Sequence, residues 1–273
     1  SSAASDVYKR QCADSVRSAV EAQAGGADRI ELCSGLVIGG LSPSAAMFEQ
    51  VKKNVDIPVR VLLRPRFGDF CYDGYEFETL KEEVCLFREA GADGVVIGIL
   101  KPDGRLDTDR MKELVECAKS ESKSGKRPCA VTFHRAFDVC RNPYEALRQC
   151  IELGIDTILT SGQKDSAWNG RELLKELVRE AAGEIEILAG AGISPEVIGK
   201  LADYAGVTSF HMSGKKVTDS KMEFRREDVP MGIPGFPEFD IWQTDAGLVG
   251  NAKRILIDLQ EESLKNDRRR ICG

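Results

Sequence analysis

Apolar residues in this chain recur as short runs, each followed by a longer stretch with helical spacing. Strand-like runs lie at 28–33 (DRIELC), 58–63 (PVRVLL), 92–99 (ADGVVIGI), 128–133 (PCAVTF), 156–161 (DTILTS), 184–189 (EIEILA) and 207–212 (VTSFHM). Asp14 suits the N-cap of a helix running to about Ala24, with Gly25-Gly26 ending it. Further helical patterns occupy 44–54, 76–90, 107–121, 143–153, 170–182 and 195–204. Pro143 and Pro195 fall at the first turn of theirs, where the missing N–H costs nothing.

The strand starts at 28, 58, 92, 128, 156, 184 and 207 are spaced by 23 to 36 residues. Such gaps leave room for a helical crossover between parallel neighbours. Glycine between helix and strand repeats as AGGAD (24–28), EAGAD (89–93), ELGID (152–156) and YAGVT (204–208). A strand ending near Cys12 would bring the total to eight, and about 250 residues is the usual size of a (β/α)8 TIM-type barrel. The alternative, an open doubly wound α/β sheet, would more often carry a G-x-G-x-x-G turn after its first strand, and none is present. After His211 the pattern loosens into an irregular segment over 213–240, followed by a C-terminal amphipathic helix from about Thr244 to Leu264. Residues 1–11 (SSAASDVYKRQ) alternate poorly and read as a non-native or disordered leader, which leaves 12–273 as one domain.

Composition narrows the partners. With 273 residues, 30% of them charged and a net charge of -6, the chain lacks the basic face that nucleic acid or an anionic membrane requires. No apolar run approaches the ~20 residues that span a bilayer. The nine cysteines form no C-x-x-C and no zinc-type cluster, and an odd number excludes complete internal pairing. With no export pattern they read as thiols of a cytoplasmic protein.

In a (β/α)8 barrel, chemistry gathers at the C-terminal ends of the strands. Here those ends carry Glu31 and Cys33, Arg64 and Arg66, His134 and Asp138, Ser161, Gly190 and Gly192, and His211 with Ser213. Both histidines of the chain fall in this set. His134, Glu31, Asp138 and His211 are candidate acid–base groups, with a carboxylate such as Asp138 or Glu31 to fix the tautomer of His134. Arg64 and Arg66 offer planar forks suited to phosphate or carboxylate; Gly190, Gly192 and Ser213 lie in the loops after strands seven and eight, where a barrel commonly holds a phosphate, and Ser161 at the end of strand six is a further substrate-binding candidate. These residues would suit a lyase, isomerase or hydrolase for a small phosphorylated or carboxylated metabolite. Alternatively, the arginines close structural ion pairs with their neighbours.

The first two strand ends open a different chemistry. If β-strands end at Cys12 and Cys33 side by side, their backbones lie about 4.8 Å apart, and two thiolates at that spacing suit Cu(I). The plainer reading is a pair of buried small hydrophobes.

The ordered motifs CADS (12–15), GGADRIELCSGL (25–36), RPRFGDFCY (64–72), TFHRAFD (132–138), LTSG (159–162), GAGI (190–193) and FHMS (210–213) resemble the CutC copper-homeostasis family. The likeness runs from Cys12 to the end of the chain. It implies a barrel fold, a cytoplasmic setting and self-association as a homo-oligomer. It also implies Cu(I) binding at the two matching cysteines, Cys12 and Cys33. Glu31, Arg64, His134, Asp138 and His211 stand at matching places. The chain departs from the pattern just before the first cysteine, where Lys9-Arg10-Gln11 replace an apolar residue, Glu and Val.

Overall fold

Eight short parallel strands pair in sequence order and close on themselves. The computed structural model describes residues 8–122, 125–226, 228–229, 231–233 and 235–271. The barrel strands are β1 (Tyr8–Ala13), β2 (Arg29–Leu32), β3 (Val59–Leu62), β4 (Gly94–Ile97), β5 (Ala130–Phe133), β6 (Thr157–Thr160), β7 (Glu186–Ala189) and β8 (Ser209–Met212). Strand β8 pairs back onto β1, with Arg10 opposite His211. The crossovers are α1 (Val16–Ala24), α2 (Ala45–Asn54), α3 (Gly74–Ala90), α4 (Thr108–Lys119), α5 (Pro143–Glu152), α6 (Arg171–Ala181) and α7 (Pro195–Ala205). This is the TIM-type barrel that the strand spacing predicts.

Three expectations need correction. Strand β1 begins at Tyr8, so Tyr8–Gln11 stand inside the barrel, bonded to strands on both sides, and not in a leader. The rest of the expected leader, residues 1–7, lies outside the described residues. Ser15, not Asp14, caps α1: its hydroxyl accepts the N–H of Ser18 at 3.1 Å. Finally, the irregular stretch after β8 contains a strand, β9 (Lys215–Asp219), which pairs antiparallel with β10 (Asp240–Thr244) before the long α8 (Ala246–Ile271). Its alternation was hidden because β9 is largely exposed on both faces.

The acids in the glycine repeats have a structural use. Asp93 accepts the N–H of Val59 at 2.8 Å, and Asp156 accepts that of Val131 at 2.7 Å. Each carboxylate thereby satisfies a backbone donor near the start of the preceding strand.

Outward-facing residues such as Ile30, Val61, Val95, Val131 and Ile158 pack under the helices in one continuous core. The barrel interior is different. Its apolar part is thin, with Cys12, Cys33, Leu62 and Val96 packed together beneath Leu36. Toward the N-terminal end the interior is ionic. Arg29 pairs with Glu186, whose carboxylate also accepts from Thr157 at 2.7 Å and Ser209 at 2.6 Å. Arg60 donates to Thr132 at 2.8 Å and Thr157 at 3.2 Å. Burial opposes the charge on Glu186, but Arg29 and the two hydroxyls outweigh it, and the pKa falls to about 2.

Because that pKa is depressed, the stabilisation is present above the ordinary carboxylate range and is lost as pH falls toward 2. Glu186→Gln is expected to cost about 3 kcal/mol at neutral pH by removing the carboxylate that pairs with Arg29 and accepts from Thr157 and Ser209. Chemical denaturation of the two proteins checks this, and equal stability would contradict it.

Candidate functional site

The C-terminal ends of the strands enclose a cavity of about 290 Å³. Eight of the expected residues line it: Cys12, Glu31, Cys33, Arg64, His134, Gly192, His211 and Ser213. Phe70, Arg135 and Ala191 line it as well.

Period two on β1 and β2 sets one wall. Cys12 lies opposite Glu31 in the register, and Cys33 follows Glu31 on the same face. The two sulfurs, Cys12 Sγ and Cys33 Sγ, stand 3.6 Å apart, both buried. His211 Nδ1 is 3.9 Å from Glu31 Oε2, and donor atoms of Cys12, Glu31 and His211 lie within 4.8 Å of one another. Arg10 reaches the same carboxylate at 3.3 Å. The thiol-thiol contact with Cys33 and burial both hold the Cys12 thiol well above its usual pKa. Burial disfavours the His211 cation, yet the Glu31 carboxylate and the Cys12 thiol outweigh that, so its pKa lies above the ordinary imidazole value.

His134 sits in another environment. Its Nδ1 accepts the N–H of Ala136 at 3.2 Å, which puts the proton of the neutral ring on Nε2. The tautomer is therefore set by the backbone, not by Asp138 or Glu31. Burial, reinforced by the charge of Arg64, lowers the pKa of His134 to about 3. A ring held neutral in this way donates from Nε2. Gly98 on the neighbouring strand end makes room for it: a Cβ there would meet His134 Cε1 and Nδ1 at 2.6 Å. Phe70 covers the ring at a centroid distance of 4.8 Å.

Four expected residues stand outside the cavity wall. Asp138 is held by Arg135 at 2.6 Å, Thr160 Oγ1 at 2.6 Å and the N–H of Ser161 at 2.9 Å. Ser161 donates to the carbonyl of Lys164 at 2.5 Å. Arg66 staples its own loop through Asp69 at 2.8 Å and Glu76 at 2.5 Å, the structural alternative for that residue. Gly190 lies just behind the wall, where a Cβ would press on Leu159 at 2.6 Å. Phe70 was missed because a loop aromatic shows no periodicity; its only signal was its place within RPRFGDFCY.

Nitrogen-detected NMR is expected to show His134 as the Nε2–H tautomer, without titration between about pH 5 and 8, while His211 still carries a proton near pH 6.5. Gly98→Ala should displace the His134 resonances without unfolding the barrel. Titration of His134 near neutrality would contradict the assignment.

Comparison with known proteins agrees with this fold. A model of the CutC family matches residues 7–216. The human copper homeostasis protein cutC homolog is 41% identical over 260 residues, covering 93% of this chain and 92% of the relative. A CutC family protein of Parabacteroides distasonis is 45% identical over 236 residues, covering 86% and 94%. The crystal structure of CutC from Streptococcus agalactiae aligns with a TM-score of 0.70 at 26% identity, covering 76% of this chain and 98% of that one. A thiamine phosphate pyrophosphorylase from Pyrococcus furiosus, at 15% identity and a TM-score of 0.54, shares the barrel alone. Matched by the family model over most of its length and by relatives above 40% identity, this chain belongs to the CutC family.

Proposed function

We propose that the protein handles copper by holding Cu(I) between Cys12 and Cys33 at the barrel mouth. The observation that carries this reading is the 3.6 Å separation of two cavity-lining sulfurs. Thiolates are the ligands that Cu(I) prefers, and two so close can serve one ion without backbone movement. His211 supplies a further donor: its Nδ1 is buried and lacks a hydrogen-bond partner in the described structure. Glu31 is the fourth group at hand, but its hard oxygen suits a soft ion less well than sulfur or imidazole nitrogen does. The name of the human relative, a copper homeostasis protein, points the same way. The reading includes a reducing, cytoplasmic setting, which the free thiols of the described residues favour. It also includes self-association, for which the family likeness is the support. Among the described residues no helix is long and apolar enough to cross a membrane.

A second reading is a barrel enzyme, a lyase, isomerase or hydrolase acting on a small phosphorylated or carboxylated metabolite. One observation favours it: Arg64 and His134 face the same cavity without being needed by the thiol pair.

Binding exchanges thiol protons for metal, and the raised pKa of Cys12 means that a proton must leave. The apparent Cu(I) affinity should therefore rise with pH, by roughly tenfold per unit for each proton displaced. Competition titration against a Cu(I) chelator under reducing conditions should give roughly one Cu(I) per chain, lost in Cys33→Ser and weakened in His211→Ala. Unchanged stoichiometry in Cys33→Ser would overturn the reading.

A further inference from the structure

The mouth holds a buried cation without a counter-charge. Arg64 is 8% exposed, and both of its hydrogen bonds go to main-chain carbonyls, Gly40 at 3.2 Å and Gly68 at 2.7 Å. Its Nε is buried and unbonded, and among the described residues it forms no ion pair. The other arginines that reach the barrel interior are placed differently. Arg10 and Arg29 have carboxylate partners, and Arg60 is bonded to two threonine hydroxyls close to the Glu186 carboxylate. A guanidinium taken from water costs several kcal/mol unless it is neutralised, so its position calls for an anion.

A second orphan donor faces the same cavity. His134 is 4% exposed, and its Nε2 has no hydrogen-bond partner. With Nδ1 accepting from Ala136, that nitrogen carries the proton. Phe70 connects the two donors: its ring centroid lies 4.9 Å from Arg64 Cζ and 4.8 Å from the imidazole. The ring excludes water and holds both side chains in place. The loop after β7 adds a third contribution. Ala191 and Gly192 line the cavity with φ of 72° and 67°, immediately before the N-terminus of α7, an eleven-residue helix whose dipole favours negative charge.

We infer that Arg64, the Nε2–H of His134 and the 191–192 loop form a binding site for the oxyanion group, carboxylate or phosphate, of a small organic metabolite. Charge and fit determine the class. The site presents donors and a fixed cation, which exclude a cationic or purely apolar ligand. The cavity, near the lower end of the range for small-molecule sites, has space for a compact metabolite and not for a chain of residues or nucleotides. His134 serves here as a neutral donor, and because its pKa is low its contribution stays constant across the neutral range. The site rests on and deepens the second, enzymatic reading by assigning the groups that would hold the oxyanion, but it needs no turnover and no copper.

The test is a thermal-shift and calorimetric titration of the full chain with inorganic phosphate, glycerol phosphate, acetate and malonate, using metal-free protein. A saturable rise in melting temperature is expected in the phosphate arms or the carboxylate arms, and the responding arm identifies the oxyanion. Arg64→Met and His134→Phe should each weaken binding by about tenfold or more, while His134→Gln, which keeps a donor near Nε2, retains most of it. Because the protein is metal-free, a response in this titration is separate from the copper reading, and loss of Cu(I) binding would leave it unaffected. In case a variant does not fold, the His134 Nε2 resonance of the unaltered protein gives an independent readout and should move during the same titration. No response in any arm, binding indifferent to Arg64→Met in a folded variant, or a stationary Nε2 resonance would each overturn the inference.

Discussion

Closure of the barrel through β1 is the constraint on which the mouth depends. Strand β1 is hydrogen-bonded to β2 on one side and to β8 on the other, and this double pairing brings together residues distant in sequence. Cys12 comes from β1, Glu31 from β2 and His211 from β8, while Cys33 follows directly after β2. In a closed parallel barrel no sheet face meets bulk solvent, so polar side chains that turn inward must find one another or a ligand. Displacement of β1 by one residue would turn Cys12 to the helix layer and separate the sulfurs.

The interior answers that requirement differently at its two ends. Toward the N-terminal end, the carboxylate of Glu186 accepts from Arg29, Thr157 and Ser209, and its low pKa reports a well-satisfied charge. At the mouth, among the described residues, Arg64 forms no ion pair with a carboxylate, and His134 Nε2 and His211 Nδ1 have no hydrogen-bond partner, as is also true of Arg10 Nε deeper in the barrel. Stability alone would favour pairing these groups off, as it does for Asp138 with Arg135 or Arg66 with Asp69. In the proposed reading, the donors gathered around this cavity are what a ligand would satisfy. If both proposals hold, the thiol pair and the Arg64–His134 pair, one soft and one cationic, divide the mouth between two chemistries.

Much of the barrel was legible because parallel strands are short, apolar and evenly spaced, and because four crossover helices, α1, α3, α5 and α7, end in a glycine stop. Gly26, Gly91, Gly154 and Gly206, the repeated glycines, all adopt positive φ at helix ends. The misreadings have physical reasons. Tyr8–Gln11 looked unlike a strand because Arg10 turns a guanidinium into the barrel, where Glu31 offsets it, and period-two apolarity cannot register an inward ion pair. Strand β9 escaped notice because neither of its faces is buried. Among candidate residues, location at a strand end was readable but occupancy was not. Arg64 and Arg66 are two residues apart in one motif, yet only the fold shows that Arg66 is held by Asp69 and Glu76 while Arg64, bonded to main-chain carbonyls, lines the cavity. The tautomer of His134 depends on an N–H two residues along the chain, in a turn that periodicity does not reveal.

The proximity of Cys12 Sγ and Cys33 Sγ is the feature on which the functional account rests. X-ray absorption spectroscopy of the Cu(I)-loaded protein under reducing conditions tests it most directly, because the first shell reports ligand type without reference to activity. The account predicts two sulfur scatterers with a nitrogen from His211, and one sulfur fewer in Cys12→Ser. A shell of nitrogen and oxygen alone, or one unaltered by loss of Cys12, would contradict it.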